Sequence, residues 1–172
     1  MDAAMKKFAR SETGKEFLLQ YMKKGQSFYG VKASEDGKLR DKKLNIYDIR
    51  NDNKVDRNYE WVMGYDGYIA TGKTAFDEKT GDLNVYIGTA EVGSDGVDAL
   101  VQTTAHEFGK HGTKHERYLN LLNSGKNEQL SQQQDADFDN DHYESKNPKG
   151  AKVYNGIMND LNMKPEWPKE KK

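Results

Sequence analysis

The sequence predicts an α+β domain in which a small antiparallel or mixed sheet is flanked by helices. Apolar residues repeat at helical spacing in an early, a central and a late segment, and short segments between them are rich in β-branched and aromatic residues. The length of 172 residues suits a single domain, 1–172. With 34% apolar and 32% charged residues, we expect a small core and a very polar surface.

The first predicted helix covers residues 11–24. Ser11 is a residue type that caps helix N-termini, and Gly25 is a type that ends helices. The apolar positions at helical spacing between them are Phe17, Leu18, Tyr21 and Met22. We therefore expect this helix to pack on the core.

Strands are predicted next, and a hairpin follows them. The segments predicted as strands from their composition are 27–33, 44–49 and 59–71. The hairpin joins 73–76 to Leu83–Gly88, and in its second arm Leu83, Val85 and Ile87 alternate with polar or aromatic residues. This alternation predicts a strand with one buried face.

The central helix is predicted to start after a cap at Ser94 or Asp95. Its apolar positions are Val97, Leu100, Val101, Ala105 and Phe108. Gly112 suits a helix end, and residues 113–116, Thr-Lys-His-Glu, have the form of a capping box. We therefore expect a second helix to start at about His115.

The last third of the chain is mostly polar. Residues 124–134 show no periodicity, and the acidic run 135–144 is predicted to be a solvated loop. A calcium loop counted from Asp135 would need glycine and glutamate where Asn140 and Lys146 stand. A final amphipathic helix contains Val153, Tyr154, Ile157, Met158 and Leu161, and 165–172 is predicted to be a frayed tail.

Charge and composition exclude several classes of protein. Lysine and arginine total 27 against 28 acidic residues, and the two signs are mixed along the chain, which argues against nucleic acid as a partner. No segment approaches the ~20 apolar residues of a membrane span. The chain has no cysteine, which excludes disulfides and thiolate ligands.

The central helix carries the sequence His106-Glu107-Phe108-Gly109-Lys110-His111. In zinc hydrolases, two histidines of one helix hold the ion and the glutamate after the first histidine takes a proton from water. His106 and His111 fit the ligand roles, and Glu107 fits the catalytic role. Zinc is therefore the expected cofactor.

The two histidines stand five residues apart, which an ideal helix separates by about 140°. They can reach one ion only if the helix contains a one-residue π-bulge or opens near its end, and Gly109 makes either distortion cheaper. A rival set, Glu107, His111 and His115, lies four apart, but Gly112 argues against one helix across it. His115 remains a reserve ligand. The alternative is that these histidines bind no metal and lie on a solvated helix face.

A third zinc ligand must come from another segment. His142 is the first candidate, because it is the only histidine outside the cluster at 106–115. Asp141 or Asp139 could bind the ion directly through an oxygen, and either could instead orient an imidazole.

Residues 8–18, together with Gly30-Val31-Lys32 and Asp36-Gly37-Lys38, resemble the C-terminal toxin domains of bacterial Rhs and related polymorphic proteins. The resemblance continues through the His-Glu-x-x-x-His helix to Asp141-His142 and spans most of the chain. The six-residue motif is also similar to that of dipeptidyl peptidase III. Between the histidines, Phe108-Gly109-Lys110 is less apolar than the usual pattern, so either Lys110 is expected to point to solvent or the site is degenerate.

This resemblance implies a zincin-like metallopeptidase or amidase that acts as an antagonistic toxin. It further implies that the domain is secreted or delivered into a target bacterial cell, acts on a peptide or cell-wall substrate and is neutralised by an immunity protein. A metal-dependent nuclease is a second interpretation, against which the balanced charge counts. A third is a binding module with a structural metal.

Overall fold

A computed structural model describes residues 1–49, 72–88, 96–140 and 143–165, and it confirms the α+β class. The helices are α1 (Asp2–Phe8), α2 (Glu12–Leu19), α3 (Gly96–His106), α4 (His115–Asn123), α5 (Asn127–Asn140) and α6 (Pro148–Asp160). The strands are β1 (Ser27–Phe28), β2 (Val31–Lys32), β3 (Leu44–Ile49), β4 (Gly72–Phe76) and β5 (Leu83–Gly88). No helix of the described residues is long and apolar enough to cross a bilayer.

Helix α2 begins as predicted and ends early. The Ser11 hydroxyl accepts a hydrogen bond of 3.0 Å from the Gly14 N–H, which confirms the N-cap. The helix ends at Leu19, not at residue 24, because the Gln20 carbonyl accepts a hydrogen bond from the Leu39 N–H of the following loop. The sequence pattern shows the apolar face but not this tertiary contact.

Helix α1 was not predicted. It is only seven residues long, which is too short for its periodicity to stand out. Its buried side chains are those of Ala4, Met5 and Phe8, and they join the core.

The prediction of one strand over 27–33 was wrong. The segment is a small hairpin in which β1 pairs antiparallel with β2. Tyr29 and Gly30 both have positive φ, 46° and 87°, as a tight two-residue turn requires. Glycine adopts this conformation without strain, so the chain reverses here.

The main described sheet is mixed, with strand order β3-β5-β4. The predicted hairpin is confirmed, because β4 pairs antiparallel with β5, whereas β3 pairs parallel with β5. Leu83, Val85 and Ile87 are at most 1% exposed, as the alternation predicts. The predicted strand at 59–71 lies outside the described residues.

Helix α3 runs into a π-helical segment, Glu107–His111, and a 3₁₀ turn, Gly112–Lys114, before α4 starts at His115 as predicted. The caps proposed for α3, Ser94 and Asp95, lie outside the described residues. The capping box is not formed, because the Thr113 hydroxyl donates to the Gly109 carbonyl at 2.8 Å instead.

The prediction of a solvated acidic loop at 135–144 was wrong for residues 135–140. Residues Asn127–Asn140 form α5, whose buried face includes Leu130 and Asp137. This helix was not predicted because the prediction relied on periodic apolar residues, and its buried face includes an aspartate. The Tyr118 hydroxyl donates to that carboxylate at 2.7 Å, which offsets the cost of its burial.

Helix α6 confirms the predicted last amphipathic helix. Asn147 caps it, and its buried side chains include Tyr154, Ile157 and Met158. It packs on the π-helical segment and on α2 and α3, so it closes the core behind the predicted motif. Most of the predicted frayed tail, 166–172, lies outside the described residues.

Candidate metal centre

The π-helical segment brings the two motif histidines together. The Gly112 N–H donates to the Glu107 carbonyl, five residues earlier, which is the hydrogen bond that defines a π-turn. As a result, the His106 and His111 rings lie side by side, with centroids 5.4 Å apart. This confirms the helix irregularity predicted from their spacing.

His106, Glu107 and His111 converge at one point. One ligand atom from each lies within 4.8 Å of the others, and both imidazoles are partly exposed whereas Glu107 is buried. Ligands of a tetrahedral zinc ion stand about 3.4 Å apart, given zinc–ligand distances of ~2.1 Å. Small rotations of the two imidazoles would therefore bring His106 and His111 to the distance that two ligands of one ion need.

The charge states suit metal binding. Burial lowers the pKa of His111 below its usual value, although the nearby Glu107 carboxylate acts in the opposite direction. His111 is thus neutral at neutral pH, and a neutral imidazole nitrogen is what a metal ion binds. His111 is therefore in the protonation state that a metal ligand needs.

Glu107 is held against the sheet. Its side chain is 4% exposed, and the Thr74 hydroxyl on β4 donates to Glu107 Oε2 at 2.7 Å. A Cβ at Gly72 would lie 2.7 Å from Glu107 Oε1, so only glycine allows the carboxylate this close. Burial raises the pKa of Glu107, and His111 and Thr74 act against that rise.

Lys110 does not point to solvent, so that expectation was wrong. Its side chain is fully buried, and its ammonium lies 5.9 Å from the centre of the Tyr154 ring on α6. The extra residue of the π-turn rotates Lys110 into the core. Burial lowers the pKa of Lys110 to about 8, with Glu107 acting in the opposite direction.

His115 is a buried structural residue. Its Nε2 lies 2.8 Å from the Gly81 carbonyl, which can only accept, so Nε2 carries the hydrogen. Its Nδ1 then accepts a hydrogen bond from the Tyr21 hydroxyl at 2.8 Å. Both ring nitrogens are engaged, and the described residues bring His106, not His115, together with Glu107 and His111.

The proposed third ligands, Asp141 and His142, lie outside the described residues. Asp139 belongs to α5, and its side chain is likewise not described. The His106, Glu107 and His111 set is therefore the part of the predicted centre that the described residues bring together.

Three supporting residues were missed at the level of sequence. Thr74 holds Glu107, Thr113 binds the Gly109 carbonyl, and the Asn147 amide donates to the Lys110 carbonyl at 2.8 Å. A π-turn leaves carbonyls without their usual helical donors, so side-chain donors are needed. Only Thr113, four residues after Gly109, carried a local signal for this role.

Searches against protein-family models, curated proteins and solved structures found no match to this chain.

Proposed function

We propose that this chain is a zinc-dependent hydrolase, a peptidase or amidase, in which His106 and His111 hold the metal and Glu107 is the general base. One observation carries the proposal: the π-turn brings together His106 and His111, which an ideal helix would separate, so that one ligand atom from each of them and from Glu107 lies within 4.8 Å of the others. A π-turn is less stable than a regular helical turn, so its presence at this position favours a functional role such as metal binding.

The donor set fits zinc. Two imidazoles from one helix and an oxygen or nitrogen from elsewhere are a common catalytic zinc set, and His142 or Asp141 would complete it. When bound, zinc supplies a Lewis acid for the scissile carbonyl and lowers the pKa of water toward ~7.

Glu107 is suited to move a proton. Thr74 fixes one carboxylate oxygen, which leaves Oε1 to accept a proton from the attacking water and pass it to the leaving amine. Burial raises the pKa of Glu107, and a more basic carboxylate is a better base near neutral pH. The hydrogen bond and the direction of this pKa shift support the role of a proton shuttle.

The neighbouring strand favours a peptide substrate. Within the part of the chain that the structure describes, β4 forms one edge of the sheet, and Thr74 of this strand touches Glu107. An edge strand can pair with an extended peptide and hold its carbonyl beside the site. We extend the proposal to a peptide or cell-wall substrate on this basis.

The biological role that we propose is that of an antagonistic toxin. The resemblance to polymorphic toxin domains supports it, together with delivery into a target bacterial cell and an immunity protein as partner. Expression of the chain in bacteria should then arrest growth.

The metal site is tested by zinc stoichiometry. The wild type should bind about one zinc per chain, and the double variant His106→Ala, His111→Ala should bind none while remaining folded. His115→Gln removes a nearby histidine from outside the site and should keep the zinc. Unchanged zinc content in the double variant contradicts the proposal.

Catalysis is tested by Glu107→Gln, which keeps size and shape. This variant should retain zinc and fold but lose growth inhibition and peptide hydrolysis by about 10²-fold or more. If it keeps full toxicity while His142→Ala loses it, the mechanism is wrong.

A further inference from the structure

A second feature of the molecule is a cavity of about 440 Å³ between the end of α2, strand β1 and the start of β3. Its described lining has an apolar part, which consists of Leu18, Tyr21, Met22, Phe28 and Leu44, and a basic part. The volume lies within the roughly 300–1,000 Å³ that is usual for small-molecule sites in proteins. The cavity therefore has room for a ligand of that size.

The apolar part reaches from the core to the surface. Leu18 and Met22 are buried members of the hydrophobic core, whereas Phe28 is 39% exposed. The Tyr21 hydroxyl is engaged, because it donates to His115 Nδ1 at 2.8 Å, so Tyr21 has its ring to offer a ligand. A ligand with an apolar body would cover the Phe28 ring and remove apolar surface from water.

The basic part consists of Arg40, Lys42 and Lys43. The charge of Arg40 is offset by its neighbours, because its Nε lies 3.5 Å from Asp36 Oδ2 and 3.9 Å from Asp41 Oδ2. We therefore assign no ligand contact to Arg40.

The two lysines bring positive charge to the cavity. Lys42 Nζ donates to the neutral Thr80 carbonyl at 2.8 Å, and the Lys43 side chain is exposed. The Asp82 carboxylate accepts a hydrogen bond from the Lys43 backbone N–H and not from its ammonium group. Within the described ranges, neither ammonium group forms an ion pair. An ammonium group has three N–H donors, so both lysines can donate to an anionic ligand.

We infer that this cavity is a binding site for a small carboxylate ligand with an apolar body, either an acyl chain or an aromatic ring. Lys42 and Lys43 bind the carboxylate, and the rings of Tyr21 and Phe28 pack against the apolar body. A small anion without an apolar body, or an apolar cation, meets only half of this lining. None of the lining residues belongs to the proposed metal set, so the inference is independent of the proposed function.

The test is a calorimetric titration of the full chain with octanoate, octylamine and acetate, at constant ionic strength and with a chelator present. Octanoate should bind at one site. Octylamine has the same chain with the opposite charge, and acetate has the charge without the chain, so each should bind about tenfold more weakly or not at all. Tighter binding of phenylpropionate than of octanoate assigns the apolar body to an aromatic ring, whereas equal or weaker binding assigns it to an acyl chain.

A charge variant locates the carboxylate. Lys43→Glu reverses the charge of an exposed side chain, so the preference for octanoate over octylamine should fall about tenfold or more. Lys152→Glu makes the same change at an exposed lysine of α6 that does not line the cavity, and it should keep the preference of the wild type. The melting temperature of both variants, measured in parallel, checks that they are folded.

An apolar variant locates the body of the ligand. Phe28→Ser should weaken octanoate binding about tenfold, because the ligand loses the ring that it covers. Val97→Ser is the matched control, since Val97 is 40% exposed and lies on α3, outside the cavity lining. The double variant His106→Ala, His111→Ala should also retain octanoate binding, which separates this site from a carboxylate bound to a metal.

The inference is overturned if octanoate does not bind, or if octylamine or acetate binds equally well. It is also overturned if Lys43→Glu has no more effect than Lys152→Glu, or if Phe28→Ser has no more effect than Val97→Ser. Loss of binding in the double histidine variant contradicts it too, because the carboxylate would then bind at the metal centre.

Discussion

The Thr74 hydroxyl on strand β4 donates a 2.7 Å hydrogen bond to Glu107 Oε2 in the π-turn. This bond joins the sheet to the proposed catalytic carboxylate. In the proposed mechanism, Oε1 is then the carboxylate oxygen that meets the attacking water. The orientation of Glu107 therefore depends on a residue more than thirty positions earlier in the chain.

We predict that Thr74→Val lowers hydrolysis or growth inhibition by about tenfold or more. A hydrogen bond to a charged group contributes roughly 1.5–3 kcal/mol, and without it Glu107 loses its fixed orientation. Thr74→Ser keeps the hydroxyl and should retain most activity. Zinc content and the melting temperature, measured in parallel, separate orientation from loss of metal or fold. Equal activity in the valine and serine variants would contradict this role.

The π-turn also depends on a close contact between Gly109 and α6. A Cβ at Gly109 would lie 3.0 Å from the Tyr154 nitrogen and 3.2 Å from the Gly150 carbonyl oxygen. Both atoms belong to the backbone of α6, which cannot rotate away as a side chain can.

We predict that Gly109→Ala destabilises the protein by about 1–3 kcal/mol, as overpacking does. Helix propensity alone predicts the opposite sign, a gain of ~1 kcal/mol, so the outcome decides which effect dominates. Gly96→Ala is the matched control, because its Cβ would meet no atom within 4 Å. Urea unfolding measures both, and a stabilised Gly109→Ala would show that α6 is not a rigid neighbour.

The helix irregularity at this site could be predicted from the sequence, because the geometry of an ideal helix keeps the two histidines apart. The five-residue spacing of His106 and His111 could serve one metal only through a π-bulge or an opening near the helix end, and Glu107–His111 forms a π-helical segment. The burial of Lys110 did not follow, since it results from the rotation that the bulge imposes. Likewise, Thr74 and Asn147 act through contacts distant in sequence, which no local pattern encodes.

The fold, too, could be predicted from the sequence only in part. The alternation over Leu83–Gly88 and the apolar face of α6 were confirmed, because each is a periodic signal within one element. Helix α5 was missed because the buried face of Asn127–Asn140 includes a hydrogen-bonded aspartate. Recognising that face requires knowledge of Tyr118 on α4.

The Asn147 side chain makes two hydrogen bonds, one that caps α6 and one that reaches the π-turn. Its Oδ1 accepts from the Gly150 N–H at 3.1 Å and caps α6, while its Nδ2 donates to the Lys110 carbonyl at 2.8 Å. Aspartate is an equally good helix cap but cannot donate.

We therefore predict that Asn147→Asp destabilises the fold about as much as Asn147→Ala, by roughly 1–3 kcal/mol. The buried Lys110 carbonyl loses its donor and meets a carboxylate oxygen in its place. Chemical denaturation of both variants at pH 7 measures this. A fully stable aspartate variant would show that the cap, and not the link to the π-turn, is what Asn147 contributes.

His115 should make stability depend on pH. Burial lowers its pKa below the usual ~6.5, although the hydrogen bond to the Gly81 carbonyl acts against that shift. Between its lowered pKa and ~6.5, the unfolded chain binds a proton that the folded chain does not. The free energy of unfolding therefore falls as the pH drops below ~6.5, by at most about 1.4 kcal/mol per pH unit for this one group.

We predict that His115→Gln reduces this slope between about pH 6.5 and 5, the range below the usual histidine pKa. The variant is less stable at every pH, because Tyr21 and Gly81 lose their partner, so the slope and not the absolute stability is the readout. Urea titrations should be run with a chelator present, since His111 also has a lowered pKa and must contribute equally in both proteins. If the wild type and His115→Gln lose stability in parallel over this range, His115 takes up its proton without unfolding. Its neutral, doubly hydrogen-bonded state would then not be what holds α4 against Tyr21 and Gly81.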